Sequence, residues 1–439
     1  MAKYQKYKEI NLPWLKIIPA NWDIKRNKQF LHERKKIVGN KSSEYTLLSL
    51  TLRGIVVRDL SENKGKIPAN FDNYKIVEPG DIAFCLFDID ETPRTVGLSK
   101  YKGMLTGAYN IFHIEGINAR YLYYYYLALD NIKGLRPLYT GLRKTINVNT
   151  FLSQQMPVPP RAEQDQIVRF LDWKVSEINK LIGIRKKEIP LIRQYRELRI
   201  TERLKGKKVW IKRLLKSPLQ YGANSSGTDF ISDLPRYIRI TDIDSDGNLK
   251  QDGAKSIIEE DAAPYILEDG DILLARSGAT VGKAFLYKKC YGLSAYAGYL
   301  IRAKFDNSRI LPEYFMYFTN SSTYSDWKNS VFIQATIQNI SAEKYGYLPI
   351  PLPSIDEQKR IVNELDLICK YMDSLVEIKY KEIHTLQELK AVIISDVVTG
   401  KIDVRNVTIP EYEHVDDIYD DNNEDSKETD ETETDGEEA

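Results

Sequence analysis

The chain of 439 residues is poor in the side chains that build most catalytic and metal sites. It has four histidines (His32, His113, His384, His414) and three cysteines (Cys85, Cys290, Cys369). The cysteines lie far apart, with neither metal-ligand spacing nor the even number of a disulfide framework. That suits a reducing cytoplasm and small buried thiols. No histidine stands at metal-ligand spacing from a cysteine or a second histidine. No run reaches the roughly 18 apolar residues of a membrane span. The start, Met1-Ala-Lys-Tyr-Gln-Lys, has no apolar signal core, so neither membrane insertion nor export is expected. The nearest approach to a phosphate loop is Gly278-Ala-Thr-Val-Gly282-Lys283-Ala284. It has one residue too few between its glycines and Ala where Ser or Thr would meet magnesium, so it reads as a scaffold turn. Asn-Pro-Pro-Tyr, Asp-Pro-Pro-Tyr and a Gly-rich cofactor turn are also missing. No catalytic residue, cofactor or metal is expected.

Charge of one sign is missing only on average. The formal net charge is +1, but residues 411–439 hold 15 Asp and Glu against one Lys. The rest of the chain then carries 62 Lys and Arg against 47 Asp and Glu, a surplus of 15. Such a body has a field suited to a polyanion. The end, residues 406–439, is expected to be a disordered acidic tail, which either aids solubility or competes weakly with nucleic acid for the body.

What the chain does have is a long internal repeat. Met156-Pro-Val-Pro-Pro is followed by Glu163-Gln164, Ile167-Val168 and Leu171-Asp172. Leu348-Pro-Ile-Pro-Leu-Pro is followed by Glu357-Gln358, Ile361-Val362 and Leu365-Asp366, an offset of 194 without a gap. Weaker matches lie upstream. They pair Trp22 with Trp210, Glu78-Pro-Gly-Asp-Ile82 with Glu268-Asp-Gly-Asp-Ile272, and Thr95-Val-Gly97 with Thr280-Val-Gly282. They also pair Ala108-Tyr109 with Ala295-Tyr296, and Thr145-Ile146-Asn147 with Thr336-Ile337-Gln338. A period this long is a duplicated domain, not a solenoid of about 20–50-residue units.

After each Pro-rich stretch the apolar residues take heptad spacing. One seam runs through Ile167, Leu171, Ile178, Leu181, Ile192 and Tyr195. The other runs through Ile361, Leu365, Ile368, Met372, Leu375, Leu386, Leu389 and Ile393. Arg185 and Glu188, like Lys379 and Glu382, fall on seam positions, where polar residues fix register. Two helices of about 40 residues, roughly 60 Å each, are therefore expected to pair as an antiparallel coiled coil; two independent bundles are the alternative. Pro190 should kink the first helix. Gly206 and Gly400 are natural stops. Ser354 with Glu357 forms a candidate capping box.

The fold class is α+β: two repeated globular heads separated by two long helices. The expected segments are a first head at 1–160, a central helical region at 161–205, a second head at 206–353, a distal helical region at 354–405, and the tail. Basic and amide residues collect where the heads diverge. In the first head these are Arg53, Arg58, Lys64, Lys66, Arg94, Arg136, Arg143 and Lys144; in the second, Arg236, Arg239, Arg276, Lys283, Lys328, Gln334 and Gln338. Arg can bond guanine through two contacts, and Gln can do the same with adenine. Lys and much of the Arg would hold phosphates.

Two divergent heads, each closed by Pro-x-Pro, Glu-Gln, Ile-Val and a long helix, resemble the specificity subunits of type I restriction–modification systems. The most telling pieces are Leu348-Pro-Ile-Pro-Leu-Pro-Ser-Ile-Asp-Glu-Gln-Lys-Arg-Ile-Val, Arg276-Ser-Gly-Ala-Thr-Val-Gly-Lys and Tyr237-Ile-Arg-Ile-Thr-Asp-Ile. The resemblance covers residues 1 to about 405. It implies a non-catalytic subunit whose heads are target recognition domains, each reading half of a bipartite site in double-stranded DNA. It implies two modification (adenine methyltransferase) subunits and two restriction (motor and nuclease) subunits as partners. It also implies that the helices dock the modification subunits, through Glu163, Gln164, Ile167, Leu171, Glu357, Gln358, Ile361 and Leu365. Individual DNA contacts do not carry over from the family. A decoy that sequesters methyltransferase subunits is the alternative.

Overall fold

The computed structural model describes residues 2–58, 70–139, 144–244, 247–278, 280–333 and 339–417. Its α-helices, in chain order, are α1 (Ala119–Asn131), α2 (Val148–Ser153), α3 (Arg161–Arg203), α4 (Glu259–Ala262), α5 (Pro312–Thr319), α6 (Ser322–Ile333), α7 (Ala342–Gly346) and α8 (Ile355–Val398). Contacts divide the chain into two compact units, residues 1–186 with 380–439, and residues 187–379. The division falls inside α3 and α8, so each unit owns a head and half of each long helix.

In the first unit a four-stranded antiparallel sheet runs in the order Leu31–Glu33, Asn110–Ile114, Ile82–Phe84, Val96–Leu98. The strands are short, and α1 packs on the last of them. Phe84, Phe112, Tyr126 and Phe151 meet beneath it, with ring centroids 4.7–6.0 Å apart. The tyrosine run of α1 is core, with Tyr121, Tyr124, Tyr125 and Tyr126 all buried. The strand Gln155–Val158 pairs with Asp23–Arg26 and feeds α3.

The second unit repeats this plan. Its antiparallel sheet runs Gln220–Tyr221, Leu300–Ala303, Ile272–Ala275, Ala284–Leu286. A second sheet runs Thr228–Asp229, Lys255–Ser256, Arg236–Ile238, Ser294–Tyr296, and its last pair is parallel. Ile200 of α3, Leu204 just past its end, and Ile361, Leu365 and Cys369 of α8 share one core with Phe305, Phe315 and Tyr345 of the head. The helices are therefore built into the head. Among the described residues no helix is long and apolar enough to cross a membrane.

The two long helices pair antiparallel within each unit. In the first, Arg185 Nε meets Glu382 at 2.7 Å and Lys390 Nζ donates to Asn179 at 3.2 Å. In the second, Lys379 meets Glu188 at 3.2 Å and Arg196 meets Asp373 at 3.1 Å. The four polar seam residues thus answer one another across the pair, Arg185 to Glu382 and Glu188 to Lys379. The apolar stripe departs from strict heptads. Leu181, Tyr195 and Leu389 are exposed, and Ile182 and Ile189 are buried instead. An α-helix drifts by about 20° per heptad, which moves the buried position one residue along. Pro190 lies inside α3 without ending it.

The internal repeat is exact in some places and misaligned in others. Gly80 (φ +90°) and Gly270 (φ +86°) occupy matching turns that only glycine enters without strain. There Asp81 and Asp271 each accept the N–H three residues back, from Glu78 and Glu268, at 2.9 Å. Four short matches fail. Val96–Leu98 is a strand, whereas Thr280–Gly282 lies in the turn ahead of Ala284–Leu286, so Phe285 takes the place of Gly97. Ala295 and Tyr296 lie in the parallel pair, and the strand matching Asn110–Ile114 is Leu300–Ala303. Trp22 is buried ahead of its strand, whereas Trp210 ends its own, where Arg26 stands in the first copy. Ile146 donates to Leu86 O at 2.7 Å and Ile340 to Arg276 O at 2.8 Å, so Ile146 corresponds to Ile340; Thr336, Ile337 and Gln338 lie outside the described residues.

The helix ends also differ. Gly400 (φ +74°) follows α8 as a left-handed cap, and a Cβ there would lie 2.3 Å from Pro19 Cδ. Gly206 sits three residues past α3, where a Cβ would meet the Leu352 backbone at 2.9 Å. Close approach is its reason, not helix capping. Half of the capping box forms: Glu357 N–H donates to Ser354 Oγ at 3.3 Å, while the Glu357 carboxylate pairs with Arg360 at 2.6 Å.

Candidate nucleic-acid interface

The Glu-Gln pair that opens each long helix is a clasp. Gln164 Oε1 accepts the N–H of Asn118 at 2.9 Å, and its Nε2 donates to Pro159 O at 2.8 Å. Gln358 does the same with Leu311 N–H, at 2.9 Å, and Pro353 O, at 3.0 Å. Tyr121 donates to Pro157 O at 3.0 Å, and Tyr314 to Pro351 O at 2.7 Å. Tyr124 donates to Asp172 at 2.7 Å, and Tyr317 to Asp366 at 2.5 Å. The same four bonds recur in each copy: the Gln side chain and the Asp172 or Asp366 carboxylate tie the helix to the head, and Tyr121 or Tyr314 holds the strand that leads into it.

The glutamates diverge. Glu163 is 5% exposed and receives Tyr4 Oη at 2.5 Å, Trp22 Nε1 at 2.8 Å and Asn21 Nδ2 at 3.0 Å. Burial, and after it Glu163, push the Tyr4 hydroxyl well above its usual range, so it stays a donor. Glu163, Gln164, Ile167, Leu171, Gln358, Ile361 and Leu365 are all buried. Of the eight residues expected to meet a partner, only Glu357 reaches the surface. Glu163, Gln164, Gln358, Ile361 and Leu365 bind helix to head, because a repeated polar pair beside an apolar seam also suits an intramolecular joint.

The basic candidates of the first head separate in the same way. Arg53 is exposed at the tip of the hairpin Leu48–Thr51/Gly54–Val57, and Arg58 follows its second strand. The tip is fixed by Arg53 N–H donating to Thr51 Oγ1 at 3.1 Å and by Gly54 at φ +90°. Arg94 is turned inward: its guanidinium meets Asp130 at 3.0 Å, with the two side chains 9% and 2% exposed. Asp130 also accepts Thr95 Oγ1 at 2.7 Å and Lys133 Nζ at 2.9 Å. A buried carboxylate requires such partners, so Arg94 is structural. Lys144 is exposed but paired with Asp90, at 3.2 Å, and with Glu91. Lys64 and Arg143 lie outside the described residues.

In the second head Arg239 grips Asp242 through two bonds, at 2.7 and 3.2 Å, and donates to Gly253 O at 2.7 Å. It holds a turn. Arg276 and Lys283 instead flank the turn Gly278–Gly282. The Arg276 guanidinium lies 4.8 Å from the Tyr221 ring centroid, and Lys283 Nζ donates to Asp244 O at 3.3 Å. The turn is closed by Gly282 N–H on Ala275 O at 2.9 Å and Lys283 N–H on Thr280 O at 3.0 Å. Tyr299, whose carbonyl accepts the Arg276 N–H at 3.1 Å, is 64% exposed on the same edge. It was not legible in the sequence, since only strand pairing brings it to Arg276. Gln334 and Gln338 lie outside the described residues.

Two features of the rarer residues emerge only in three dimensions. His32 and His113 are directly opposite on neighbouring strands, and each imidazole lies 3.7 Å from Glu115. Among the described residues, no group of three His, Cys, Asp or Glu is arranged to hold a metal ion. Cys85 and Cys369 are buried, as expected, and burial pushes the Cys85 thiol up to about 11. Cys290 is exposed.

Comparison with known proteins agrees with this geometry. The family pattern described as "Type I restriction modification DNA specificity domain" matches twice, over residues 21–191 and 223–385. The chain is 23% identical to the type I restriction enzyme MjaVIII specificity subunit of Methanocaldococcus jannaschii, over 60% of this chain and 65% of that one. The match thus spans slightly less than two thirds of that relative. It is also 23% identical to the putative MjaX specificity subunit of the same organism, over 91% and 99% of the two chains. It is 30% identical to the StySPI specificity subunit of Salmonella potsdam, over 30% and 29%. In structure it resembles a chain from work titled as the basis of complex assembly and conformational transition of the type I R-M system. That match has a TM-score of 0.63 at 13% identity, over 88% of this chain and 99% of that one. The heads, their repeated clasps and the double match lead to one conclusion: this chain belongs to the type I restriction–modification DNA specificity family.

Proposed function

We propose that the chain reads a bipartite DNA site, one half-site per head, and scaffolds the modification and restriction subunits that act there. It supplies the address and leaves the chemistry to its partners. The observation that carries this reading is the clasp. Two heads are held to their helices by matching bonds from Gln164 and Gln358 and from Tyr124 and Tyr317, and Tyr121 and Tyr314 hold the strands that lead in. Their exposed edges nonetheless carry different residues. A repeated mount with unlike faces suits a reader of two unlike sequences. The segments 1–160 and 206–353 are the readers, and 161–205 and 354–405 the helical supports.

The deciding experiment is the adenine methylome of the source cell with and without this chain. Loss of one bipartite motif on deletion supports the reading; an unchanged methylome leaves a decoy role instead. Within the heads, Arg53→Ala is expected to relax one half-site and Arg276→Ala the other. Each lost bidentate base contact costs about 1–3 kcal/mol of discrimination. Binding to duplexes varied one position at a time checks this. Uniform weakening across all duplexes would assign both residues to phosphates.

A further inference from the structure

Residues 405–417, all but the first of them in the stretch expected to be a disordered acidic tail, lie along α3 in the first unit. Polar contacts hold them. Gln166 Nε2 donates to the carbonyls of Val404, at 3.0 Å, and Val407, at 2.8 Å. Ser176 Oγ meets His414 Nδ1 at 3.3 Å, and Asn179 Nδ2 donates to Val415 O at 2.9 Å. Lys180 faces Glu413 at 3.6 Å, Lys100 meets Asp416 at 2.9 Å, and Lys390 meets Asp417 at 2.7 Å. The remainder of the tail, 418–439, lies outside the described residues.

This segment is lightly attached. The chain is anchored up to Val404, which is fully buried, with Asp403 N–H donating to Ala2 O at 2.9 Å. From 405 to 417 no residue is buried. The Lys100–Asp416 and Lys180–Glu413 pairs are solvent-exposed, and such pairs contribute little and are screened by salt. Yet Ser176 and Asn179 are closed to 1% exposure. At the matching positions of α8, 194 residues on, Lys370 stands for Ser176 and is exposed. Leu367 and Tyr371, one turn apart on one face, are 73% and 60% exposed. Exposed large apolar residues rimmed by charge mark an interaction surface.

We propose that residues 405–417 are a displaceable strap that closes the α3 face to a modification subunit, while the matching α8 face stands open. The two modification subunits then bind unequally. The first docks on α8, with an apolar contact for Leu367 and Tyr371 and carboxylates for Lys370. The second must supply acceptors that replace the strap on Gln166, Asn179 and Lys180. This rests on the reading that the long helices dock the modification subunits.

Native mass spectrometry of the chain with its modification subunit tests the idea. The full chain is expected to bind one subunit at least tenfold more tightly than the second. Truncation after Arg405 should narrow that gap. So should E413Q/D416N/D417N, which loosens the strap and keeps the rest of the tail. L367E/Y371E should remove the tight event. Equal affinities in the full chain, or a gap unchanged in both strap variants, overturn the proposal. If the modification subunit binds no form of the chain, the parent reading fails instead.

Discussion

Exchange of the first head for that of a relative with a different site is expected to replace one half of the methylated motif and leave the other half intact. The fastening bonds make the exchange feasible. Asn118 N–H on Gln164 and Tyr124 on Asp172 join head to helix, and Tyr121 on Pro157 O holds the strand that feeds it. None of them involves the hairpin that carries Arg53. Each mismatched base pair costs about 1–3 kcal/mol, roughly additively, so the original motif should lose methylation altogether. Methylome sequencing of cells carrying the hybrid reads the outcome. A hybrid that alters both half-sites would show that the heads do not read independently. A folded hybrid that alters neither would place recognition outside the exchanged segment.

Glu163→Ala is expected to destabilise the first unit by about 3–5 kcal/mol, whereas Glu357→Ala should leave stability unchanged within error. The two residues hold the same place in the repeat. Glu163 is buried and accepts from Tyr4, Trp22 and Asn21 at 2.5–3.0 Å. Its loss leaves donors buried without an acceptor, and each costs about 1–3 kcal/mol. Glu357 meets Arg360 on the same helix, and that ion pair holds its carboxyl below the usual range. Urea unfolding of both variants decides the matter. Similar losses for the two would mean that the Tyr4–Trp22 contacts contribute little. Glu163→Gln, which keeps the acceptor oxygen, should recover part of the loss.

The repeat was legible where many residues are constrained together. The offset of 194 holds from Gln164 and Gln358 through the helices, because each clasp residue must meet a fixed backbone partner. The Gly80 and Gly270 turns were legible for the same reason, since a positive φ and an aspartate cap leave little choice of residue. Words of two or three residues were not reliable. Thr-Val-Gly and Ala-Tyr recur by composition, and strand pairing places them in unlike positions. Trp22 and Trp210 resemble each other in sequence, yet one is fully buried and the other 43% exposed.

The candidate interface divided along a similar line. A residue list ranks Arg94, Arg239 and Arg276 alike. The fold pairs Arg94 with buried Asp130 and Arg239 with Asp242, and lays Arg276 over Tyr221 at an exposed edge. The sequence by itself determined the duplicated plan, the two long helices and the polar residues that register them, because periodicity and repetition are properties of the chain. Only the tertiary structure decided which charges face solvent, which glutamate of the repeated pair is buried, and that the first part of the acidic tail lies on α3. Burial and pairing depend on what the rest of the chain brings to each side chain, and no local pattern of residues encodes that.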